Sequence, residues 1–306
     1  MPENNYDVSI VIVGLNAKKY VIDCIESIQK AVWRDLTYEV IYVDNGSTDG
    51  SAGAVRDHYA DSVVLLENDT NVGYCPAANQ GARIGNGRYL YFINDDTIVI
   101  DDAIALTVEY MDEHPETGTA GSRLIYPDGS EQYSGRRFPG FVNAIFGRRS
   151  FLTKLFPGFK SVKDYLYVEN LKEDSPFEVD WVSAAGQCVR KEDFFSIGGY
   201  AEDYYYWHEA VFCHRLIEQG KNIILHPCSK VIHYEGQGSG PRPVKAQRFH
   251  IINFHKGAFR AFREWHGLSL FNPLLLVIGA ALCTRASFLF IAAHARAALP
   301  SGQGSS

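Results

Sequence analysis

Strands of the buried type alternate with helices through the first 115 residues, and this alternation constrains the fold more than any other feature of the chain. Residues 8–13, 38–43, 63–67 and 88–93 are apolar runs rich in β-branched or aromatic residues. Stretches with helical spacing lie between and after them, at residues 16–30, 75–83 and 102–114. Strands that alternate with helices form parallel, doubly wound sheets. The sequence therefore predicts an α/β fold with a mostly parallel sheet.

Polar residues follow three of these strands directly, at the points where the strands end. Asn16 follows the first strand, Asp44 the second, and Asp95 and Asp96 the fourth. In such sheets ligands bind at the carboxyl ends of the strands, so these side chains should converge on one edge. Two carboxylates there can hold a divalent cation, and a bound diphosphate would supply further ligands. The alternative is an ordinary turn in which Asp caps a helix.

The second half of the chain is less regular than the first. Residues 126–130 (YPDGS) predict a turn within a hairpin, and residues 179–189 predict a strand, a loop and a second strand. An aromatic run opens a helix over residues 204–219, and residues 223–225 and 230–233 predict two short strands. In the rest of residues 116–180, the apolar residues show few clear helix or strand periods. We expect residues 1–235 to form the main α/β domain and residues 236–306 a basic, apolar and helical C-terminal extension.

The composition and the first residues of the chain limit the partners and the compartment that we expect. The net charge of −7 provides no overall basic surface, so we expect no nucleic-acid partner. The six cysteines contain no C-x-x-C pair, and they predict reduced, mostly buried thiols. The first five residues lack the basic and apolar regions of a secretory signal. A cytoplasmic location is the expectation from these features.

The apolar C-terminal region carries an excess of positive charge. Eight Lys or Arg residues and a single acid, Glu264, give residues 236–306 a net charge of +7, which leaves −14 for residues 1–235. The apolar runs 274–283 and 287–293 are each too short to span a bilayer. Arg285 and Arg296 are separated by about three turns, so they would share one helix face. Two alternatives stay open: a helix at an anionic membrane interface, and a helix buried against the main domain.

Several motifs occur in a characteristic order along residues 7–266. They are VSIVIV at 8–13, DNGSTDG at 44–50, NVGY at 71–74, NQG at 79–81 and NDD at 94–96. In this combination the chain resembles the inverting glycosyltransferases of family 2, which have the GT-A fold. YPDGS at 126–130, SGRRFP at 134–139, WVSAAG at 181–186 and GGY at 198–200 resemble the rhamnosyltransferase-type branch of that family.

The resemblance implies which residues contact the nucleotide-sugar donor. Asp44 matches the position that contacts the base or ribose, and Asn71 and Asn79 match a loop and a helix start beside the nucleotide. Asp95 matches a position near the sugar or ribose, and Asn16 lies in the same predicted donor site. The alternative for Asp44 is a turn former, because Asp-Asn-Gly-Ser favours turns on its own.

The resemblance also implies a metal site and a substrate class. Asp96 matches the last acid of a D-x-D-like motif, which binds a metal beside the diphosphate, and His233 matches a histidine that completes that site. The cofactor would be a divalent cation, Mg²⁺ or Mn²⁺. The donor would be dTDP-rhamnose or a UDP-sugar, and the acceptor a glycan or lipid-linked glycan in cell-surface polysaccharide synthesis. Without the resemblance, a satisfied core histidine is the simpler interpretation of His233.

The chain departs from the family pattern where the catalytic base is expected. Relatives usually have a Glu-Asp pair after the aromatic run and an Asp two residues later, whereas this chain has His208, Glu209 and Val211. Glu209 takes the place of the Asp and can act as a general base, although its carboxylate reaches one methylene further. The alternative is a first-turn acid that stabilises the helix dipole. The departure also leaves open a non-catalytic relative that binds nucleotide sugars or scaffolds other enzymes.

Two tryptophans are candidates for acceptor binding. Trp181 and Trp207 could form an apolar wall that stacks on a sugar or a lipid. The alternative for both is core packing, which is the commoner use of aromatic residues. The chain lacks the Q-x-x-R-W pattern of processive polysaccharide synthases, so we expect the transfer of a single sugar.

Overall fold

The computed structural model describes residues 5–138, 160–235 and 244–298, which form two compact units. The first unit comprises residues 5–138, 160–202 and 209–235, and the second comprises residues 203–208 and 244–298. The second unit thus includes a short segment, Asp203–His208, that precedes the boundary expected at residue 235. The division into domains 1–235 and 236–306 stays a prediction.

The secondary structure follows the alternating order of strands and helices. The strands are Tyr6–Gly14 (β1), Tyr38–Asp44 (β2), Val63–Glu67 (β3), Gly87–Asn94 (β4), Thr97–Val99 (β5), Thr117–Ile125 (β6), Gly135–Arg136 (β7), Phe177–Glu178 (β8), Trp181–Val182 (β9), Gln187–Arg190 (β10) and Asn222–His233 (β11). The helices are Lys18–Lys30 (α1), Ser51–Tyr59 (α2), Tyr74–Ile84 (α3), Ala103–Glu113 (α4), Lys160–Tyr165 (α5), Lys191–Ser196 (α6), His208–Glu218 (α7), Val244–Trp265 (α8) and Pro273–Ala298 (α9).

The first unit is built on one large sheet with the strand order β3-β2-β1-β4-β10-β6-β11-β5, and β8 pairs with β11. Strands β3, β2, β1 and β4 pair in parallel, and so do β6 and β11. Strand β10 lies antiparallel between β4 and β6, and β5 lies antiparallel to β11. The predicted fold class, a doubly wound and mostly parallel α/β sheet, is confirmed.

Helices bury the central strands on both faces. On one face, Ile10 and Ile12 of β1 pack in a core with the apolar side of α1, which includes Val21 and Ile25. On the other face, α3 approaches the sheet closely because small residues line it. A Cβ atom added to Gly81 would lie only 2.5 Å from Val11 Cγ1, so a larger residue would push the helix away. The continuous burial of β1 explains why its sequence is uniformly apolar rather than alternating.

Register brings the ends of the three strands that carry the predicted site together. Gly14 at the end of β1 pairs with Asp44 of β2, and Val13 pairs with Asn94 of β4. The loops after β1, β2 and β4 therefore leave the same edge of the sheet side by side. This arrangement places the polar residues after those strands within reach of one another.

The structure differs from the sequence-based expectation in the second half of the sheet. Strand β6 (Thr117–Ile125) lies in a region where few periods were evident, because its small residues mask the strand pattern. An added Cβ on Gly121 would lie 2.6 Å from Val182, so glycine is needed for close packing there. The two short strands expected near residues 223–233 are one strand, β11, whose pairing with β6 shifts register between His226 and Lys230.

The second unit contains two long helices, α8 and α9, joined by a short connection. The expectation of two apolar runs that are each too short to span a membrane is wrong, because α9 runs unbroken from Pro273 to Ala298 through Arg285. Its residues Pro273–His294 are long and apolar enough to cross a membrane by length and composition, and most of them are exposed. The interfacial alternative for this helix stays a prediction.

Candidate functional site

The loop after β1 is tied to the loop after β2 by Asn16. Asn16 has a positive φ of 54°, a conformation that Asn tolerates better than most residues. Its backbone N–H donates to Ser47 Oγ (2.8 Å), and its side-chain Oδ1 accepts from the Thr48 N–H (2.8 Å). The side chain is thus at the predicted edge of the sheet, where it shapes the wall of the site between the two loops.

Asp44 lies at the end of β2 and shapes the turn that follows it. Its side chain is buried, and its Oδ2 accepts a hydrogen bond from the Ser47 N–H (2.9 Å). The Tyr42 hydroxyl lies 3.5 Å from the other oxygen, Oδ1. Asp44 therefore acts as the turn former that the sequence allowed, and its contact with a nucleotide stays a prediction.

Asn45, which the sequence reasoning did not single out, links the β2 loop to the loop before α3. Its Nδ2 donates to Asn71 Oδ1 (3.1 Å) and to the Gly73 carbonyl (3.2 Å), and its Oδ1 accepts from the Val72 N–H (3.1 Å). Asn71 Oδ1 also accepts from the Gly73 N–H (2.9 Å). The buried amide of Asn45 thus holds Asn71 beside Asp44. The only signal in the sequence was an Asn within a turn motif.

Asp95 and Asp96 follow β4 at the same edge of the sheet. The Leu15 N–H, in the loop after β1, donates to Asp95 Oδ2 (3.1 Å). Burial, and then the negative charge of Asp96, raises the pKa of Asp95 to about 8 despite that hydrogen bond. A cation bound beside the two carboxylates would relieve the repulsion that disfavours the ionised form of Asp95.

Asp96 and His233 come together, as the metal hypothesis requires. Strand β5 follows Asp96 and pairs with the end of β11, which brings His233 Nε2 to 3.3 Å from Asp96 Oδ1. His233 Nε2 also lies 3.3 Å from Asn94 Nδ2, the donor of the Asn94 amide. The imidazole is buried, but its ε nitrogen faces the carboxylate and not a hydrophobic core. This location distinguishes His233 from an ordinary core histidine.

Gln132, which the sequence reasoning also missed, orients the His233 ring. Gln132 Nε2 donates to the His233 carbonyl, which directs Gln132 Oε1 toward His233 Nδ1 at 2.9 Å. The hydrogen-bond network therefore assigns the proton to Nδ1 and leaves the lone pair of Nε2 beside Asp96. A metal-binding histidine is commonly held in this way by a second partner on its other nitrogen.

The donor set suits a hard cation that keeps substrate or water ligands. In the described ranges, no three or more His, Cys, Asp or Glu side chains gather as a complete metal cage. Asp96 and His233 could supply two ligands. Mg²⁺ is usually bound through one or two carboxylates together with phosphate oxygens and waters, so a small protein donor set fits this ion.

Glu209 lies in the first turn of α7, close to the start of α3. Burial, and then the negative charge of Glu209, raises the pKa of Tyr74 well above its usual value. Burial, then Tyr74 and then Glu209, raises the pKa of Tyr200. Tyr74 is the first residue of α3, directly after the Asn71–Gly73 loop. The charge of Glu209 therefore acts on the residue that directly follows the loop tied to the β2 turn by Asn45.

Asn79 has a structural role that the sequence did not predict. Its Nδ2 donates to the Tyr200 carbonyl (2.9 Å) and to Glu202 Oε1 (3.0 Å), and its Oδ1 accepts from the Tyr200 N–H (3.0 Å). The side chain is buried, and these bonds use both its donor and its acceptor. This geometry does not support the predicted contact between Asn79 and a nucleotide.

The two tryptophans are used in packing. Trp181 is only 7% exposed, its Nε1 donates to the Arg137 carbonyl (3.0 Å), and the Arg136 guanidinium lies 4.5 Å from its ring centre. In the second unit, Trp207 Nε1 donates to the Phe254 carbonyl of α8 (3.1 Å). The core-packing alternative therefore describes both residues better than the predicted acceptor wall.

Comparisons with known proteins agree with this arrangement. The model of the family "Glycosyl transferase family 2" matches residues 9–166, about half of the chain. An N-acetylglucosaminyl-diphospho-decaprenol L-rhamnosyltransferase from Mycobacterium tuberculosis is 25% identical over 264 residues, which are 82% of this chain and 82% of that protein. The predicted resemblance to the rhamnosyltransferase-type branch is thus confirmed.

Two solved structures share the fold. A mannosyltransferase from Pyrobaculum calidifontis, solved with GDP-Man and Mn²⁺, superposes with a TM-score of 0.58 at 17% identity and covers 100% of this chain and 79% of that one. GalNAc-T7, solved with UDP, GalNAc and Mn²⁺, has a TM-score of 0.58 at 18% identity, with 87% of this chain covered. The match spans 55% of the GalNAc-T7 chain. With its sheet, its strand-end residues and the matching family model, this chain belongs to glycosyl transferase family 2 and is a glycosyltransferase.

Proposed function

We propose that the protein transfers one sugar from a nucleotide-diphosphate sugar to a hydroxyl group of a glycan or lipid-linked glycan, with inversion at the anomeric carbon. The observation that carries this proposal is the Asp95–Asp96 pair beside His233, at the same sheet edge as the Asp44 loop. The mycobacterial relative is named for rhamnosyl transfer to a diphospho-decaprenol-linked sugar. This name supports dTDP-rhamnose as the donor, with a UDP-sugar as the other candidate.

The nucleotide would lie along the loops after β1, β2 and β3. Asn16, Asp44 and Asn71 form a continuous hydrogen-bonded wall through Ser47 and Asn45. These bonds fix the loops before the donor arrives, so binding would require little further ordering. Asp44 and Asn71 are the residues we expect to meet the base or ribose.

A divalent cation would be held by Asp96 and His233. The cation supplies charge neutralisation for the departing diphosphate when it is bound. The protein's own contribution is to orient the ligands: Gln132 keeps the lone pair of His233 Nε2 beside Asp96. Asp95 would add a second negative charge once a bound cation offsets the burial and repulsion that raise its pKa. The titles of the two structural neighbours name Mn²⁺, which supports Mg²⁺ or Mn²⁺ here.

Glu209 would act as the general base. The acceptor hydroxyl must lose its proton as its oxygen attacks the anomeric carbon on the face opposite the leaving diphosphate, and a carboxylate within hydrogen-bond reach can take that proton. A single displacement of this kind inverts the anomeric configuration. Glu209 lies in the first turn of α7, and its charge helps to raise the pKa of Tyr74, which follows the predicted donor loop.

The assignment of the base can be tested in the same helix. We expect Glu209→Gln to lower the rate of sugar transfer by about 10²-fold or more, since general-base catalysis is worth 10²–10⁴-fold, while nucleotide affinity stays unchanged. Glu218→Gln provides a matched control, because Glu218 ends the same helix and is largely exposed. Transfer that survives Glu209→Gln at the wild-type rate would exclude Glu209 as the base.

A second candidate function is a non-catalytic relative that binds nucleotide sugars. The replacement of the usual acids by His208 and Val211 favours it. Calorimetric titration of UDP, dTDP and GDP, with and without Mn²⁺, separates the candidates when combined with an activity assay. Nucleotide binding without transfer to any acceptor would favour the second candidate. The absence of binding to every nucleotide would contradict both.

We further propose that the enzyme works at the cytoplasmic face of the cell membrane, where a lipid-linked acceptor would be found. The excess of basic residues and the exposed apolar helix α9 in the second unit support this location.

A further inference from the structure

Helix α9 exposes a continuous apolar face. Six large apolar side chains along its length are 40% exposed or more, and Phe288, Ile291, Leu276 and Val277 reach 60% or above. Contiguous exposed apolar surface of this kind is uncommon on soluble monomers, and it marks an interaction site. The six residues are Leu274, Leu276, Val277, Phe288, Leu289 and Ile291.

The polar side chains on this face satisfy their hydrogen bonds within the helix. The hydroxyls of Thr284 and Ser287 donate to the carbonyls of Ala280 (2.9 Å) and Cys283 (3.0 Å), each four residues earlier. His294 Nδ1 makes the same kind of contact with the Phe290 carbonyl (2.8 Å). A hydroxyl bonded back to its own helix needs no water, so it can enter an apolar phase at low cost.

The opposite face of α9 packs along α8. Leu275, Ile278 and Ala293 are buried on this face. Arg285, the charged residue in the middle of α9, also points this way, with its Nη1 3.3 Å from His255 Nε2 and its guanidinium 5.4 Å from the Phe254 ring centre. The sequence placed Arg285 and Arg296 on one helix face, and the structure directs the Arg285 side of that face to α8.

The two helices run antiparallel along most of α9. Phe259 of α8 lies against Gly279, where an added Cβ would be 3.2 Å from its ring. Arg248, near the other end of α8, places its guanidinium 5.9 Å from the Phe290 ring centre. Any lipid that surrounded α9 on all sides would therefore have to surround α8 as well.

Helix α8 has the composition of a helix at a membrane surface. Phe249, Ile252, Lys256 and Arg263 are exposed and are spaced by 3, 4 and 7 residues, so they share one face. Placing the charges of Lys256 and Arg263 in the hydrocarbon core would be strongly unfavourable. At the headgroups of anionic lipids, the same two cations are each stabilised by the negative surface charge.

We propose that α9 lies in the plane of an anionic lipid bilayer, with its apolar face at the boundary between headgroups and acyl chains and the Lys256–Arg263 face of α8 among the headgroups. This rests on the proposed membrane location and specifies its mode: the helix pair lies on the membrane and does not cross it. A second copy of the chain is a poorer partner for this face, because residues 236–306 carry a net charge of +7 and would repel the same region of another copy.

Vesicle binding by the full chain tests the partner. We expect flotation with vesicles that contain phosphatidylglycerol and weaker flotation with phosphatidylcholine alone. Lys256→Gln combined with Arg263→Gln should lower the affinity for the anionic vesicles about 30-fold, since each basic residue contributes about fivefold. Leu276→Glu combined with Ile291→Glu should abolish binding to both kinds of vesicle. Val32→Glu, which changes a valine of the first unit that is 53% exposed, is the control.

The depth of α9 in the bilayer tests the mode. A fluorescent label is attached to one cysteine in each of three variants. The first variant uses the native Cys283, and the other two carry Leu276→Cys or Ile291→Cys together with Cys283→Ser. Cys228→Ser removes the other exposed thiol from all three. Residues 276 and 291 are separated by about 22 Å along the helix, so a crossing helix would place residue 283 near the bilayer centre and residues 276 and 291 nearer its two surfaces. Quenching by spin-labelled lipids should instead show the same shallow depth at all three positions.

The outcomes separate the alternatives. A deep label at residue 283 with shallow labels at 276 and 291 would overturn the proposal in favour of a crossing helix. Absence of vesicle binding would overturn it too, whether the chain is monomeric or self-associates through α9. Nucleotide binding is measured on the same variants. A chain that binds vesicles but no nucleotide would contradict the proposed function and leave the membrane proposal standing.

Discussion

Gln132→Met is the substitution that examines the candidate metal site most closely. Methionine has a similar length but no amide, so the variant loses the acceptor that His233 Nδ1 contacts at 2.9 Å and the donor to the His233 carbonyl. The buried Nδ1–H then either stays unsatisfied, at a cost of about 1–3 kcal/mol, or moves its proton to Nε2. In both cases the lone pair beside Asp96 is lost or poorly oriented.

Removal of such an orienting partner typically lowers metal affinity about 10- to 100-fold, or about 1.4–2.8 kcal/mol. The assay is a Mn²⁺ titration followed by the electron paramagnetic resonance of free Mn²⁺, with saturating dTDP or UDP. Gln132→Glu keeps an acceptor for Nδ1 and should retain the affinity that Gln132→Met loses. If a folded Gln132→Met protein binds Mn²⁺ as tightly as the wild type, the assignment of His233 as a ligand oriented by Gln132 is wrong.

Two further substitutions test the framework around the site. Asn79→Leu removes the partners of the Tyr200 N–H and carbonyl, so the free energy of unfolding in urea should fall by about 2–4 kcal/mol. The folded variant should keep its nucleotide affinity. A loss of affinity at unchanged stability would instead support the nucleotide contact of Asn79. Gly46→Ala places a Cβ 2.7 Å from the Thr70 carbonyl carbon, at a φ of 80°. Gly129→Ala is the control, because its φ is 82° but nothing lies within 4 Å of an added Cβ. Gly46→Ala should therefore lower the melting temperature more than Gly129→Ala, and equal effects would contradict the clash.

The first half of the sheet and the strand-end loops were accessible from the sequence because their signals are local. Strands β1, β2 and β4 are uniformly apolar, and the polar residues that follow them mark where they end. Asp96 and His233 were placed together only through the family resemblance, since 137 residues separate them in the chain. The structure supplies the physical link, which is the pairing of β5 with β11.

The residues that the sequence could not assign are those whose role depends on distant partners. Asn45 and Gln132 look like ordinary turn and hairpin residues until their hydrogen bonds to the Asn71 loop and to His233 are known. Trp181 and Trp207 suit an acceptor site by residue type, but their indole N–H groups donate to backbone carbonyls within the protein.

The C-terminal helix shows the same dependence on distant contacts. Arg285 interrupts the apolar pattern, and from the sequence alone it divides the region into two short runs. In the structure it is accommodated by His255, 30 residues earlier on α8, so the helix continues without a break.

Nucleotide release from a panel of nucleotide sugars tests the proposed function most directly. The panel includes dTDP-rhamnose and UDP-sugars, and release is measured with Mn²⁺ and with EDTA, for the wild type and for Asp96→Ala. We expect release from at least one donor, dependent on the cation and lowered about 10²-fold or more by Asp96→Ala, because the charge of the leaving diphosphate would lose its stabilisation. Release that persists in EDTA and is unchanged in Asp96→Ala would contradict the proposed metal-dependent transfer.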